Sequence, residues 1–312
     1  RAGLFPRPQW GMQDTGVRRI MKLMLPGIIG SSVAQINLLF DTLIASCLVA
    51  GSVSWLYYSD RLVEFPLGVF AIALSTVILP SLSRSHASDS AAEFSSTVDW
   101  GLRLVVLIAV PSAVGLFMLA RPMLATLFNY GDFNAADVDM AGLSLMAYSI
   151  GLPAFMLIKV LAPAYYSRKD TRTPVRIAII ALLTNMVLNR VFVIPLVMLQ
   201  IPGPHAGLAM ATSLAAWVNA GLLYHGLKKQ QVYRPEAGWR QFFLQIGLAG
   251  TTLCAVLYWG TPAIPVWLDW SVWSRVSGLF VWILAGAGAY FIALHLVGLR
   301  LMSLWQRRHD DG

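Results

Sequence analysis

The chain has 312 residues, 57% of them hydrophobic and 12% charged, with a net charge of +8 and a mean hydropathy of +0.65. These values describe a polytopic membrane protein. Cys47 and Cys254 stand far apart and the five histidines never fall at metal-ligand spacing, which argues against a disulfide framework and against a zinc enzyme.

The chain opens RAGLFPRPQW, with neither an initiator Met nor a signal-peptide pattern. That start is expected of a fragment lacking an N-terminal portion. Residues 1–22 form a basic lead-in in which Gly11 to Met24 is expected to make a short amphipathic helix at the membrane surface. Eight apolar segments long enough for about 30 Å of hydrocarbon follow, near 23–50, 53–80, 98–120, 140–165, 175–199, 205–227, 241–260 and 272–299. The expected fold is therefore an all-α membrane helix bundle. Residues 23–228 would make one six-helix lobe, and 229–312 two additional helices with a tail.

The first segment places Gly30, Ala34, Asn37, Asp41 and Ala45 on one face. The small residues permit close helix packing, and the Asp41 carboxylate needs a partner from another span. Counted inward from the predicted outer ends, Asp41, Asn189 and Thr212 lie roughly 10 to 13 Å deep, with Asn185 one turn below Asn189 on the same face. One carboxylate, two amides and a hydroxyl suit a small cation such as Na+. Interhelical hydrogen bonding among polar side chains explains the same residues.

The second segment carries three charges, Asp60, Arg61 and Glu64, inside a run bounded by aromatic residues and by Leu79. A charge near mid-bilayer costs roughly 2.5 to 3.5 kcal/mol, so it must face protein or water. Tyr57, Arg61, Glu64 and Gly68 share one helix face by their spacing. That face is the expected lining of a polar cavity. Pro66, with Gly68 two residues on, predicts a kink beside it. The alternative is that Asp60 and Glu64 neutralise Arg61, which then only holds the helix to a neighbour.

Further along, the connection from Arg121 to Asp139 is acidic and turn-rich and is expected to be a solvated loop. Lys159 is expected to snorkel to the inner headgroups, and Arg190 either reaches outward or lines the cavity. Residues 162–176 predict a tight basic turn before the fifth segment. The last two segments carry Gly278, Gly286, Gly288 and the tryptophans Trp259, Trp267, Trp270, Trp273 and Trp282, which predict close packing and an interfacial belt, with room for a lipid tail. Eighteen of the 23 Lys and Arg residues fall on one side of the predicted membrane. Only Arg121 and Arg275 fall on the other, and Arg61, Lys159 and Arg190 lie within spans. This asymmetry predicts that both termini are cytoplasmic. The surplus charge fits insertion and anionic lipid rather than nucleic acid.

The stretch GSVSWLYYSDRLVEFPLGVFAIALSTVILPSLSR (residues 51–84), with APAYYSRKDTRTPVRIAI from residue 162 and QINLLFDTLIAS from residue 35, resembles the MurJ (MviN) lipid II flippases of bacterial inner membranes. These belong to the multidrug/oligosaccharidyl-lipid/polysaccharide exporter superfamily. The resemblance covers essentially the whole chain and aligns it with spans seven to fourteen of a fourteen-span protein, so that the N-terminal lobe is missing. It implies transport of the undecaprenyl-pyrophosphate-linked peptidoglycan precursor from the inner to the outer leaflet by alternating access. Arg61, with Glu64, Asp60 and Asn37, is the implied substrate-binding set. Asp41, Asn185, Asn189 and Thr212 resemble a Na+ site of some members, although Asn189 stands where a carboxylate would hold sodium more tightly. The final two spans imply a groove for the polyprenyl tail. Lipid II and membrane lipids are the implied partners, with contacts to cell-wall synthesis proteins left open. No bound cofactor is implied, and coupling to Na+ or to the membrane potential is left open.

Three other readings remain at this point. One is a different exporter of the superfamily, for a polysaccharide precursor or for drugs against a cation gradient. The second is a membrane glycosyltransferase, for which Asp132, Asp137 and Asp139 are the only outer acidic cluster, with no accompanying base or metal motif. The third is a non-transporting scaffold.

Overall fold

The structure, a computed structural model, describes residues 14–87 and 90–299. The described residues are all-helical in their regular structure. Helix α1 (Thr15–Ser46) starts where the Asp14 side chain accepts from the backbone N–H groups of Gly16 at 2.7 Å and Val17 at 3.3 Å. These are donors that a helix start leaves unpaired. The expected amphipathic lead-in is described only from Asp14 onward, where it forms the first turns of α1. Residues 1–13 lie outside the described residues.

A short turn ends at Gly51, whose φ of +98° suits glycine. A Cβ there would also stand 2.7 Å from the Trp55 ring. Helix α2 (Ser52–Pro66) follows, then a π-helical stretch over Leu67–Ile72, then α3 (Ala73–Ala87). The break beside the charged face thus takes the form of a π stretch directly after Pro66. The ring leaves the Leu62 carbonyl without its i+4 donor, and the hydrogen-bond register shifts by one residue.

The remaining helices are α4 (Ala91–Met118), α5 (Ala120–Leu127), α6 (Ala135–Tyr166), α7 (Arg172–Met198), α8 (Pro204–Lys229), α9 (Trp239–Gly260), α10 (Ile264–Asp269) and α11 (Val272–Leu296). Among the described residues six helices are long and apolar enough to cross a membrane: α4, α6, α7, α8, α9 and α11. The other two expected spans correspond to α1, in which Ser32–Ser46 is the described apolar stretch, and to the α2–π–α3 rod, which its charges and its break set apart.

Helix α6 is the central rod. Its start is fixed by a capping box in which Asn134 and Asp137 exchange side-chain and backbone hydrogen bonds. It packs against α2, α4 and α8 through small residues and side chains that bond to carbonyls. Ser59 donates to the Ala141 carbonyl at 2.7 Å, Ser213 to Ala147 at 2.7 Å, and Tyr165 to Leu223 at 2.8 Å. Gly151 lets α8 approach so closely that a Cβ there would meet the Ser213 backbone at 2.8 Å. Helix α7 lies against α8 and α1. The α9–α11 pair sits on α4, where Tyr290 donates to the Leu107 carbonyl at 2.9 Å.

Two corrections concern the outer connections. The expected solvated loop begins with α5, whose Leu124, Ala125 and Thr126 are buried. Its apolar residues recur at helical spacing and cover the ends of neighbouring helices. Trp267, expected in an interfacial belt, is fully buried in α10 and donates through Nε1 to Thr126 Oγ1 at 3.0 Å. Trp259 and Trp273, by contrast, are 80% and 82% exposed, as a belt requires. The basic turn between α6 and α7 is present: Lys169 has φ +61°, and Asp170 accepts from the Thr173 N–H at 3.0 Å and the Thr173 hydroxyl at 2.6 Å.

Candidate functional site

Helix α2 presents two contrasting faces. Trp55, Leu56, Ser59, Leu62, Val63 and Pro66 are buried, while Tyr57, Arg61, Glu64, Phe65 and Gly68 are exposed. About three turns, running from α2 into the π stretch, therefore carry a strip that the described residues leave uncovered. On it, Arg61 holds both acidic neighbours: Nη1 stands 2.6 Å from Glu64 Oε2 and Nη2 stands 3.3 Å from Asp60 Oδ2. Its guanidinium also lies over the Tyr57 ring, 5.1 Å from the centroid, a cation–π arrangement. The side chains of Arg61, Asp60 and Glu64 keep 46%, 36% and 50% of their exposure. A solvent-open guanidinium has donors to spare, since its planar fork carries five N–H groups. Asn37, expected with this set, lies elsewhere.

Asn37 belongs to a second site, where α1, α7 and α8 meet. Asp41, Asn185 and Asn189 are buried there. Asn189 Nδ2 donates to Asp41 Oδ1 at 2.8 Å and to Asn185 Oδ1 at 2.9 Å. Thr212 Oγ1 donates to Asp41 Oδ2 at 2.9 Å, Asn37 Nδ2 to the same oxygen at 3.2 Å, and Asn185 Nδ2 to Thr212 Oγ1 at 3.0 Å. The residues picked by depth in the sequence thus meet in one network: Asn189 and Thr212 bond to the Asp41 carboxylate, and Asn185 bridges Asn189 and Thr212. Two oxygens, Asn37 Oδ1 and Asn189 Oδ1, are buried without a hydrogen-bond partner. Buried acceptors left bare cost free energy unless something supplies positive charge or a donor. The oxygen-rich set fits a hard monovalent cation, because a single carboxylate is too little charge for a typical divalent site.

Other charged residues find structural partners. Asp137 accepts from Trp55 Nε1 at 2.8 Å, and Arg121 stands 3.0 Å from Asp139. Of the outer acidic cluster, Asp137 is engaged in helix packing and Asp139 in a surface ion pair. Arg275 donates to the carbonyls of Trp270, Leu268 and Ala125, which ties α10 and α11 to α5. Arg190 is exposed on α7, and Lys159 is exposed on α6.

One cluster escaped sequence reasoning. Asp99 on α4, 1% exposed, accepts from Tyr233 Oη at 2.6 Å, Arg103 Nε at 2.7 Å, Trp239 Nε1 at 2.7 Å and the Glu236 N–H at 3.2 Å. Arg103 also donates to the Ala237 carbonyl at 3.0 Å and faces the Trp239 and Phe242 rings. Burial, with the Asp99 contact next, pushes the Tyr233 phenol far above its ordinary range, so it remains a proton donor. The i, i+4 spacing of Asp99 and Arg103 was the only signal available in the sequence.

A profile of the family described as Lipid II flippase MurJ matches residues 1–280. The chain belongs to the MurJ family. It is 48% identical over 304 residues to the probable lipid II flippase MurJ of Vibrio cholerae, covering 97% of this chain and 57% of the relative. It is 47% identical over 306 residues to the Haemophilus influenzae counterpart, covering 96% and 58%, and 40% identical over 298 residues to lipid II flippase MurJ of Burkholderia cenocepacia, covering 94% and 56%. The chain thus spans less than three-fifths of these relatives. The solved structure of a lipid II flippase MurJ in an inward closed conformation superposes with a TM-score of 0.72 at 25% identity, covering 97% of this chain and 57% of that one. An outward-facing multidrug transporter of the MATE family shares the fold, with a TM-score of 0.57 at 17% identity over 93% of this chain and 67% of that one. The MurJ family is one of membrane transporters rather than enzymes, and this chain is a multi-pass membrane protein.

Proposed function

We propose that this chain is the C-terminal part of a lipid II flippase of the bacterial inner membrane. It moves the undecaprenyl-pyrophosphate-linked precursor from the inner to the outer leaflet by alternating access. The supporting observation is the exposed strip of α2, where Arg61 sits between two carboxylates on an otherwise apolar face. A guanidinium suits a pyrophosphate because its planar fork can bond two oxygens at once. Asp60 and Glu64 hold that fork in the absence of substrate. On binding, the dianionic head displaces one of them, so the arginine is never left without a counter-charge. The exposed strip faces outward from the described helices and, in this reading, meets the rest of the longer protein across a central cavity. Both ends of the chain are cytoplasmic, following the Lys and Arg asymmetry.

The pocket around Asp41 is the proposed cation site, held by Asp41, Asn185, Asn189 and Thr212, with Asn37 completing it. A bound monovalent cation would supply the positive charge that its bare amide oxygens lack. Binding there draws α1 toward α7 and α8 and so biases one packing of the lobe over another.

The test of transport is complementation of cells depleted of their own lipid II flippase, using the full gene. Growth and lipid II translocation are expected to be restored. Failure with the protein present in the membrane would redirect the reading to another exporter of the superfamily, one for a polysaccharide precursor or a drug.

A further inference from the structure

Two cavities flank the Asp41 pocket, and they differ in their access to it. The first, about 480 Å³, lies among α1, α6, α7 and α8. One end is lined by Asn37, Asn185 and Thr212, which are residues of the pocket itself. The other end is lined by Tyr166 and Pro174, at the basic α6–α7 turn that carries Arg168, Lys169 and Arg172. The second cavity, about 600 Å³, lies at the opposite end of the bundle, where α1 stops and α8 starts, and is lined by Cys47, Val49, Trp55, Val197 and Gly203.

Between the pocket and this second cavity stand Ala45 and Val193. Each is one turn beyond a pocket residue on the same helix face, after Asp41 on α1 and after Asn189 on α7. Ala45 is 1% exposed and Val193 6%, and neither lines the second cavity. The pocket is therefore continuous with one cavity and closed from the other by an apolar plug.

From this arrangement we infer that the Asp41 pocket exchanges a monovalent cation with the basic face of the bundle, through the cavity among α1, α6, α7 and α8. The inference rests on the cation-site reading above and adds the route. Its walls are mostly Ala and other apolar residues, with Asn37 and Asn219 as polar steps. Lys159 is the charged residue lining it. An ammonium beside the route repels a divalent ion twice as strongly as a monovalent one, so Lys159 filters entry as well as raising the barrier. Among the described residues Ala45 and Val193 stand between the pocket and the cavity at the opposite face. The Ala45–Val193 plug would have to part before an ion could pass that way.

The experiment uses protein from the full gene with Cys47 and Cys254 replaced by Ser, together with radiolabelled Na+ and a membrane-impermeant methanethiosulfonate. Ala178→Cys, on the cavity wall, is expected to react only from the basic face, and Ala45→Cys from neither face. Ala178→Leu is expected to slow both Na+ association and Na+ release by about tenfold at unchanged Kd, because a plugged route alters only the barrier. Lys159→Gln is expected to tighten Na+ binding roughly two- to fivefold, the scale of one partly screened charge. Labelling of Ala178→Cys from the opposite face, or unslowed exchange in Ala178→Leu, overturns the route. Asp41→Asn separates the two levels: retained Na+ binding in that variant overturns the cation site itself, whereas lost binding with unhindered exchange in Ala178→Leu overturns the route alone. Where Ala178→Leu does not fold, the Ala178→Cys labelling decides the question.

Discussion

Replacing Asp99 by Ala removes one carboxylate that satisfies four donors, on Tyr233, Arg103, Trp239 and Glu236. Its side chain is 1% exposed and that of Arg103 11%, so water cannot readily replace what is lost. Removing one partner of a buried ion pair costs about 3 to 5 kcal/mol, because the other charge stays buried. Arg103 keeps its bond to the Ala237 carbonyl and its aromatic faces, which places the expected loss toward the lower end of that range. For a chain of this size the melting temperature in detergent should fall by about 2 °C per kcal/mol, so the lower end of the range corresponds to a drop of roughly 6 °C. Tyr233→Phe deletes a single donor to the carboxylate and should cost about 1.5 to 3 kcal/mol. The effect has a local signature as well. The Arg234 N–H donates to Ser95 Oγ at 2.9 Å, and with Asp99 the two contacts clasp the 230–238 linker onto α4. Trypsin should therefore cut after Arg234 sooner in Asp99→Ala than in the parent. Arg121→Ala is the control: that residue's pair with Asp139 has both side chains more than two-fifths exposed and should cost under about 1 kcal/mol. An Asp99→Ala melting temperature no lower than that of Arg121→Ala would refute the reasoning.

Gly151→Ala should destabilise the protein by about 1 to 3 kcal/mol, since the added Cβ meets the Ser213 backbone as well as its side chain; thermal unfolding measures this. Trp267→Phe removes the bond to Thr126 Oγ1 from a fully buried site and should lower stability by about 1 to 3 kcal/mol, with the α10 connection becoming protease-sensitive before the rest. Arg61→Lys should keep stability and lose most transport, because an ammonium supplies a point charge without the fork; lipid II translocation at matched membrane abundance checks it.

The helices were legible because membrane spans are written as long apolar runs, and among the described residues six of the eight runs are helices that qualify as spans on length and hydropathy. The Asp41 pocket was legible for a related reason. A lone carboxylate in an apolar helix demands partners, and depth along straight helices is nearly one-dimensional, so Asn185, Asn189 and Thr212 were found by counting. Spacing along α1 had already put Asn37 on the Asp41 face, where its amide donates to Asp41; its grouping with Arg61 came from the family resemblance. The Asp99 clasp was not legible, because Tyr233 and Trp239 lie more than 130 residues away. Helices α5 and α10 were hidden by length: eight and six residues bounded by Pro, Gly and Asp look like loop until their buried faces are seen.

The measurement that bears most directly on the account is lipid II translocation by Arg61→Ala, made in the full gene, in cells depleted of their own flippase. Arg61 is 46% exposed, so its loss should cost under about 1 kcal/mol of stability and leave membrane abundance and melting temperature at parental levels. The account predicts that translocation is abolished under those conditions. Parental translocation, or disappearance of folded protein from the membrane, would contradict it and assign Arg61 to holding the helix in place.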